Sequence, residues 1–171
     1  GYMGKDGLLY VLGRFKSLLI ASDGEKYSPE GIEEAMVEHS ASIDQIMLYN
    51  NQSPYTTALV VPNKEKLKAF VKEKGLDWES LEGKKAAIDK IAADIAQFSK
   101  GGEFESMFPH RWLPATFAVL AEPFTEQNQM INSTMKMVRN KVEKVYAERL
   151  EYIYTPEGKQ IYNRQNMEAL A

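Results

Sequence analysis

The sequence predicts an α+β domain: a small mixed or antiparallel central sheet flanked by helices, with a two-stranded ribbon at its N-terminal end. Three observations carry this expectation. Two segments rich in β formers, 43–49 and 56–61, face each other across the polar turn Asn50-Asn51-Gln52-Ser53-Pro54, the pattern of an antiparallel pair. Apolar residues then recur at helical spacing, first at Leu67, Phe70 and Val71 and later at Ile88, Ile91, Ala92, Ile95 and Phe98. A chain of 171 residues, 44% of them hydrophobic, buries enough surface to fold around one core with neither disulfide nor metal.

In chain order, Leu8 to Leu12 reads as a strand. Gly13-Arg14 breaks it, and Phe15 to Ile20 resumes extended character, which gives the ribbon. Ser22-Asp23-Gly24 supplies a turn in which Gly24 is free to take positive φ. Ser28-Pro29 places a capping hydroxyl before a proline suited to a first helical position, and Ile32, Ala35 and Met36 form the apolar stripe of the helix that follows. Glu30, Glu33 and Glu34, near that helix start, are expected as solvated acids favoured by the helix dipole. Pro62 ends the antiparallel pair, and two helices follow, the second over 81–98. Gly101-Gly102 interrupts them before another strand at Thr116 to Leu120, closed by Pro123. Between Phe124 and Lys136 the chain is polar and aperiodic. Val138, Val142, Val145, Tyr146 and Arg149 then mark one side of a helix, and a tyrosine-rich tail packs around Pro156-Glu157-Gly158.

Composition narrows the chemistry. Without cysteine the chain has no disulfide, no Cys-ligated metal and no cysteine nucleophile. Two isolated histidines, His39 and His110, make no transition-metal site, so no metal is expected. A net charge of −3 gives no general attraction to nucleic acid or to an anionic membrane, though it leaves room for a polyanionic cofactor. No 18-residue apolar run occurs and no signal peptide is expected, a reading that fits a soluble, reducing compartment. On residue type alone, Arg14, Lys16 and Lys136 are cations able to hold phosphate or offset developing negative charge. Nothing in their spacing separates them from solvated ones.

A resemblance changes the weight of these residues. Gly13-Arg14-Phe15-Lys16-Ser17-Leu18-Leu19-Ile20, followed by Ser22-Asp23-Gly24-Glu25-Lys26-Tyr27-Ser28-Pro29-Glu30-Gly31-Ile32-Glu33, closely resembles the start of the C-terminal domain of adenylate-forming (AMP-binding) enzymes. Asn132-Ser133-Thr134-Met135-Lys136-Met137-Val138-Arg139, with Phe124-Thr125-Glu126 upstream, resembles the terminal lysine motif of the long-chain fatty-acid CoA ligase (acyl-CoA synthetase) branch. It departs from that motif at Ser133, where a proline often precedes the threonine. The resemblance covers nearly the whole chain, but only the smaller, lid-like part of such an enzyme.

The resemblance implies that 1–171 is one C-terminal domain, with a hinge region at 13–17, a helical elaboration at 78–108 and a terminal lysine segment at 130–140. It implies Lys136 as the catalytic lysine of adenylation, also touching the nucleotide. Lys16 becomes the hinge, Arg14 a nucleotide-binding arginine, and Asp23, Gly24 and Glu25 the loop lining the CoA channel. ATP, CoA and Mg2+ would serve the full-length enzyme, with none held tightly by this portion alone. The implied partners are the enzyme's own N-terminal adenylation domain and its fatty acid, ATP and CoA, with no nucleic acid. The enzyme would be cytoplasmic, with peripheral attachment to the inner membrane face allowed. The activity implied is acid plus ATP plus CoA giving acyl-CoA, AMP and pyrophosphate, with the isolated chain inactive. Two alternatives stay open: a ligase for an aryl or small acid, and a noncatalytic protein-interaction domain using the tyrosine-rich end.

Overall fold

The computed structural model describes residues 18–134 and 136–170. The expected strand at 8–12, the break at Gly13-Arg14 and the hinge at Lys16 lie outside the described residues. Two short strands, β1 (Leu19–Ala21) and β2 (Lys26–Tyr27), pair antiparallel as an N-terminal two-stranded element. Helix α1 (Glu30–His39) leads to β3 (Ile43–Tyr49), β4 (Asn51–Ser53) and β5 (Thr57–Pro62). Helices α2 (Lys64–Glu73) and α3 (Leu81–Ala96), a 3-10 turn (His110–Trp112) and β6 (Thr116–Val119) follow. The chain ends in four short helices: α4 (Arg139–Val145), α5 (Ala147–Ile153), α6 (Pro156–Lys159) and α7 (Arg164–Ala169).

The central sheet has the order β3-β5-β6. β3 pairs antiparallel with β5 through Leu48 opposite Ala58, and β6 lies parallel to β5 with Ala118 opposite Leu59. The sheet is mixed because the return from β5 to β6 crosses over through α2 and α3. Alternation along each strand sends side chains to two faces. Ile46, Leu48, Val60, Phe117 and Val119 meet α1, α2 and α3 in the larger core. Met47, Leu59, Val61, Ala118 and Leu120 meet Val142, Leu150 and Ile153 in the smaller one. Each fully buried Leu, Ile or Met contributes roughly 2 kcal/mol, so covering both faces is what holds the short C-terminal helices in place.

Helix starts follow local chemistry. Asn63 caps α2 by accepting from Lys66 N (3.0 Å), and Ser80 caps α3 by accepting from Gly83 N (3.0 Å). Ser28 does not cap α1 as expected: Pro29 takes the boundary position with helical angles and no side-chain cap bond, and Glu33 N donates to its carbonyl (2.9 Å). The polar turn after β3 also does more than turn. Asn51–Ser53 form β4, which pairs parallel with β1 and joins the N-terminal element to the central sheet. The single helix expected from Val138 to Arg149 breaks at Tyr146, leaving Val145 exposed.

Two buried polar side chains meet the sheet's outer strands. Glu33 of α1 accepts Leu48 N at 2.7 Å from the outer side of β3. Asn166 of α7 accepts Val119 N (2.8 Å) and donates to Phe117 O (3.1 Å) along the outer side of β6. Asp94 of α3 accepts from the Ser42 hydroxyl (2.6 Å) and pairs with Lys90 (3.1 Å), docking that helix on the loop before β3.

Candidate functional site

Lys136 sits on a tight polar loop between two anchored stems. Ile131 and Met137 form an antiparallel bridge, Val138 N donates to Met130 O (2.7 Å), and Asn132 N donates to Lys136 O (2.9 Å). Met130 is buried in the smaller core and Met137 packs against it. Within the loop the side-chain carbonyl of Asn132 accepts from Thr134 N (3.0 Å), the Thr134 hydroxyl (2.7 Å) and Lys136 N (3.0 Å). Lys136 itself is exposed, a cation presented to whatever faces this surface.

Three residues further on, Arg139 opens α4 and grips Glu33 with two guanidinium nitrogens, Nη1 to Oε2 at 2.9 Å and Nη2 to Oε1. Both side chains are largely buried, at 15% and 8% exposure. This corrects the expectation of a solvated Glu33. The carboxylate lies beside the buried stripe of Ile32, Ala35 and Met36, and its charge is matched by an arginine 106 positions away and by Leu48 N–H. Burial pushes the Glu33 carboxyl above its ordinary value, while Arg139 and the Leu48 N–H pull it back only in part. The sequence carried a signal: Glu33 follows Ile32 directly and lies three positions before Met36, which turns it towards the core.

The second expected site is the turn between β1 and β2. Gly24 takes φ +89°, with Gly24 N donating to Ala21 O (2.9 Å) and Ala21 N to Glu25 O (2.8 Å). An added Cβ there would meet no atom within 4 Å, so conformation rather than space demands glycine. Asp23 and Gly24 are exposed. Glu25 instead turns back on the domain, accepting Arg111 Nε (2.7 Å) and Nη2 (2.8 Å) and Trp112 Nε1 (3.2 Å). Arg111 beside it holds the Glu25 carboxyl below its ordinary value. Trp112 also stacks on Tyr27 (5.3 Å between ring centroids), and Tyr27 OH bonds Thr56 Oγ1. The turn is therefore a small projecting knuckle, fixed from behind by the 3-10 turn.

The two sites belong to different faces of the central sheet. Leu19 and Tyr27, flanking the Gly24 turn, pack in the larger core, whereas Met130 and Met137, flanking Lys136, pack in the smaller one. Arg14 and Lys16 lie outside the described residues. His39 packs on Phe104 (4.3 Å between centroids) and His110 is exposed in the 3-10 turn. Among the described residues, no three His, Asp or Glu side chains come together in a metal-holding group. No helix among them is long and apolar enough to cross a membrane. Of the tyrosine-rich end, Tyr146 and Tyr154 pack against the smaller core. Burial pushes Tyr154 up to about 12, while Tyr162 stays 42% exposed and bonds Asp89.

A small mixed sheet flanked by helices, with a two-stranded element at its N-terminal end, is the architecture on which these two loops are carried. Residues 16–158 match the AMP-binding enzyme C-terminal domain, and the chain belongs to that family. It is 27% identical over 153 residues to long chain acyl-CoA synthetase 8 of Arabidopsis thaliana, covering 87% of this chain and 21% of that protein. It is 28% identical to a carboxylic acid reductase of Mycobacterium tuberculosis, covering 90% of this chain and 12% of that one. Its fold is similar to the adenylation domain of a carboxylate reductase from Mycobacterium chelonae, with a TM-score of 0.65, 26% identity, and coverage of 81% of this chain and 19% of that domain. The chain thus spans about a fifth or less of these relatives.

Proposed function

We propose that this chain is the mobile lid of an ATP-dependent carboxylate-adenylating enzyme, and that Lys136 serves the adenylation half-reaction. The observation that carries the reading is an exposed lysine on a loop whose stems are anchored in the core, within a chain of this family. ATP supplies the adenylyl group and the pyrophosphate leaving group, with Mg2+ and the adenine held on the side of an N-terminal adenylation domain. In this reading, docking against that domain brings the Lys136 ammonium to offset negative charge shared by the acyl carboxylate and the transferring phosphate, which lowers the barrier because that charge is greatest in the transition state. Arg14 steadies the nucleotide and Lys16 is the pivot.

Rotation about the pivot exchanges one face for the other. Asp23 and Gly24 then line the channel through which the pantetheine thiol of CoA approaches. Glu25 supports that wall from behind through Arg111 and Trp112 rather than lining it. The finer reading takes a long-chain fatty acid as substrate and CoA as acceptor, supported by the terminal lysine motif and the likeness to the Arabidopsis synthetase. The likeness to carboxylate reductase adenylation domains supports a second reading, in which the same lid activates an acid destined for reduction.

Acid-dependent pyrophosphate release by the full-length enzyme, over short, medium and long fatty acids and an aryl acid, tests both readings. Long-chain turnover with CoA consumption is expected. Turnover without CoA consumption transfers the weight to the second reading. Lys136→Ala should cut adenylation by roughly 100-fold or more while sparing thiol attack on supplied acyl-adenylate. Equal losses in both half-reactions, with folding intact, would defeat the role of Lys136.

A further inference from the structure

The geometry assigns Asn132 as the positioning residue for Lys136, an inference that rests on the adenylation reading above. A lysine side chain is long and flexible, so where its ammonium goes depends on how firmly the backbone beneath it is held. The stems at Met130, Ile131 and Met137 are fixed by packing, whereas Asn132, Ser133, Thr134 and Lys136 between them are exposed. Ser133, lacking a proline ring, leaves φ free at the turn. Beside the backbone bonds, one side-chain atom gathers the donors of the loop's described residues. Asn132 Oδ1 accepts three donors: the backbone N–H groups of Thr134 and Lys136 and the hydroxyl of Thr134.

Those three bonds select one backbone path out of many. Without them the donors turn to water, and the productive geometry becomes a minor state that must be selected on every turnover. The fold does not depend on them, since Asn132 N to Lys136 O and Val138 N to Met130 O are backbone bonds that survive truncation of the side chain. Asn132 therefore acts through Lys136 and touches no reacting atom itself.

The test uses the full-length enzyme with ATP–pyrophosphate exchange for the first half-reaction and thiol attack on supplied acyl-adenylate for the second. Asn132→Ala should lower the adenylation kcat roughly 10- to 100-fold, with KM for acid and ATP moved less than about twofold and the second half-reaction unchanged. Asn132→Asp keeps an acceptor at the same place and should recover most of the rate. Melting of the 171-residue chain should be the same for both variants. Asn132→Ala at the wild-type rate, beside an inactive Lys136→Ala, overturns the positioning role and leaves the reading intact. Lys136→Ala at the wild-type rate overturns the reading itself. An Asn132→Ala loss that is equal in both half-reactions, or that tracks a fall in melting temperature, overturns the positioning role as well.

Discussion

Removing Arg139 tests how the lysine segment is fixed to the body of the domain. In Arg139→Ala the buried Glu33 carboxyl keeps only the Leu48 N–H as a partner and loses its matching charge. Breaking a buried ion pair from one side costs about 3–5 kcal/mol, and the residual exposure of Arg139 places this one near 3. For a domain of this size each kcal/mol shifts the melting temperature by about 2–4 °C, so a loss of about 6–12 °C is expected. The loss should depend on pH in a defined direction. Burial already raises Glu33 above its ordinary value of 4.5, and without Arg139 the folded state favours the protonated form still more. A group raised on folding lends its full contribution below its unfolded value and loses it as pH climbs through the folded one. The variant should therefore fall further behind wild type as pH climbs above the raised value Glu33 has in the folded wild type. Adding Glu33→Gln to Arg139→Met removes both charges and keeps an acceptor for Leu48, and this double variant should regain more than half the loss and lose the pH slope. Denaturant unfolding of wild type, Arg139→Ala and the double variant across pH provides the measurement. A cost under about 1 kcal/mol for Arg139→Ala, or no recovery in the double variant, would refute the pair as the anchor.

Two further perturbations follow from other contacts. Glu25 is held below the ordinary carboxylate value by Arg111, so its contribution is complete above pH 4.5 and disappears as pH falls through the depressed value. Melting of wild type should drop more steeply on acidification than that of Glu25→Gln, and parallel curves would remove the clamp from behind the Gly24 turn. Asn166→Ala strands Val119 N–H and the carbonyls of Phe117 and Ile161, which should cost about 2–4 kcal/mol in denaturant unfolding. A change below about 1 kcal/mol would mean that water replaces the side chain.

Much of the architecture was legible because it rests on periodicity. The β3–β5 pair, β6, α2 and α3 each announce themselves through β formers, apolar spacing or a closing proline, signals local to a few residues. The strand Asn51–Ser53 was hidden because it has no apolar alternation; only backbone pairing with β1 makes it a strand. The break at Tyr146 and the short helices beyond it are set by how Leu150, Ile153 and Ala169 reach the cores, which no window of sequence displays. At the site, the motif resemblance singled out Lys136 and Gly24. The Glu33–Arg139 grip joins residues 106 positions apart, and the Asn132 loop depends on side-chain geometry.

The two side chains that meet the outer strands of the central sheet have a consequence for life in a crowded solution. A three-stranded sheet has two rims, and each bare rim is a template on which another chain can lay a strand. Here Glu33 occupies the Leu48 N–H on one rim, while Asn166 occupies both the donor of Val119 and the acceptor of Phe117 on the other, imitating a neighbouring strand with one amide. Each plug is a single residue delivered by a separate helix, so fraying of either α1 or α7 bares a rim before the sheet itself comes apart. Loosening of either helix therefore offers strand donors and acceptors on which another chain can pair.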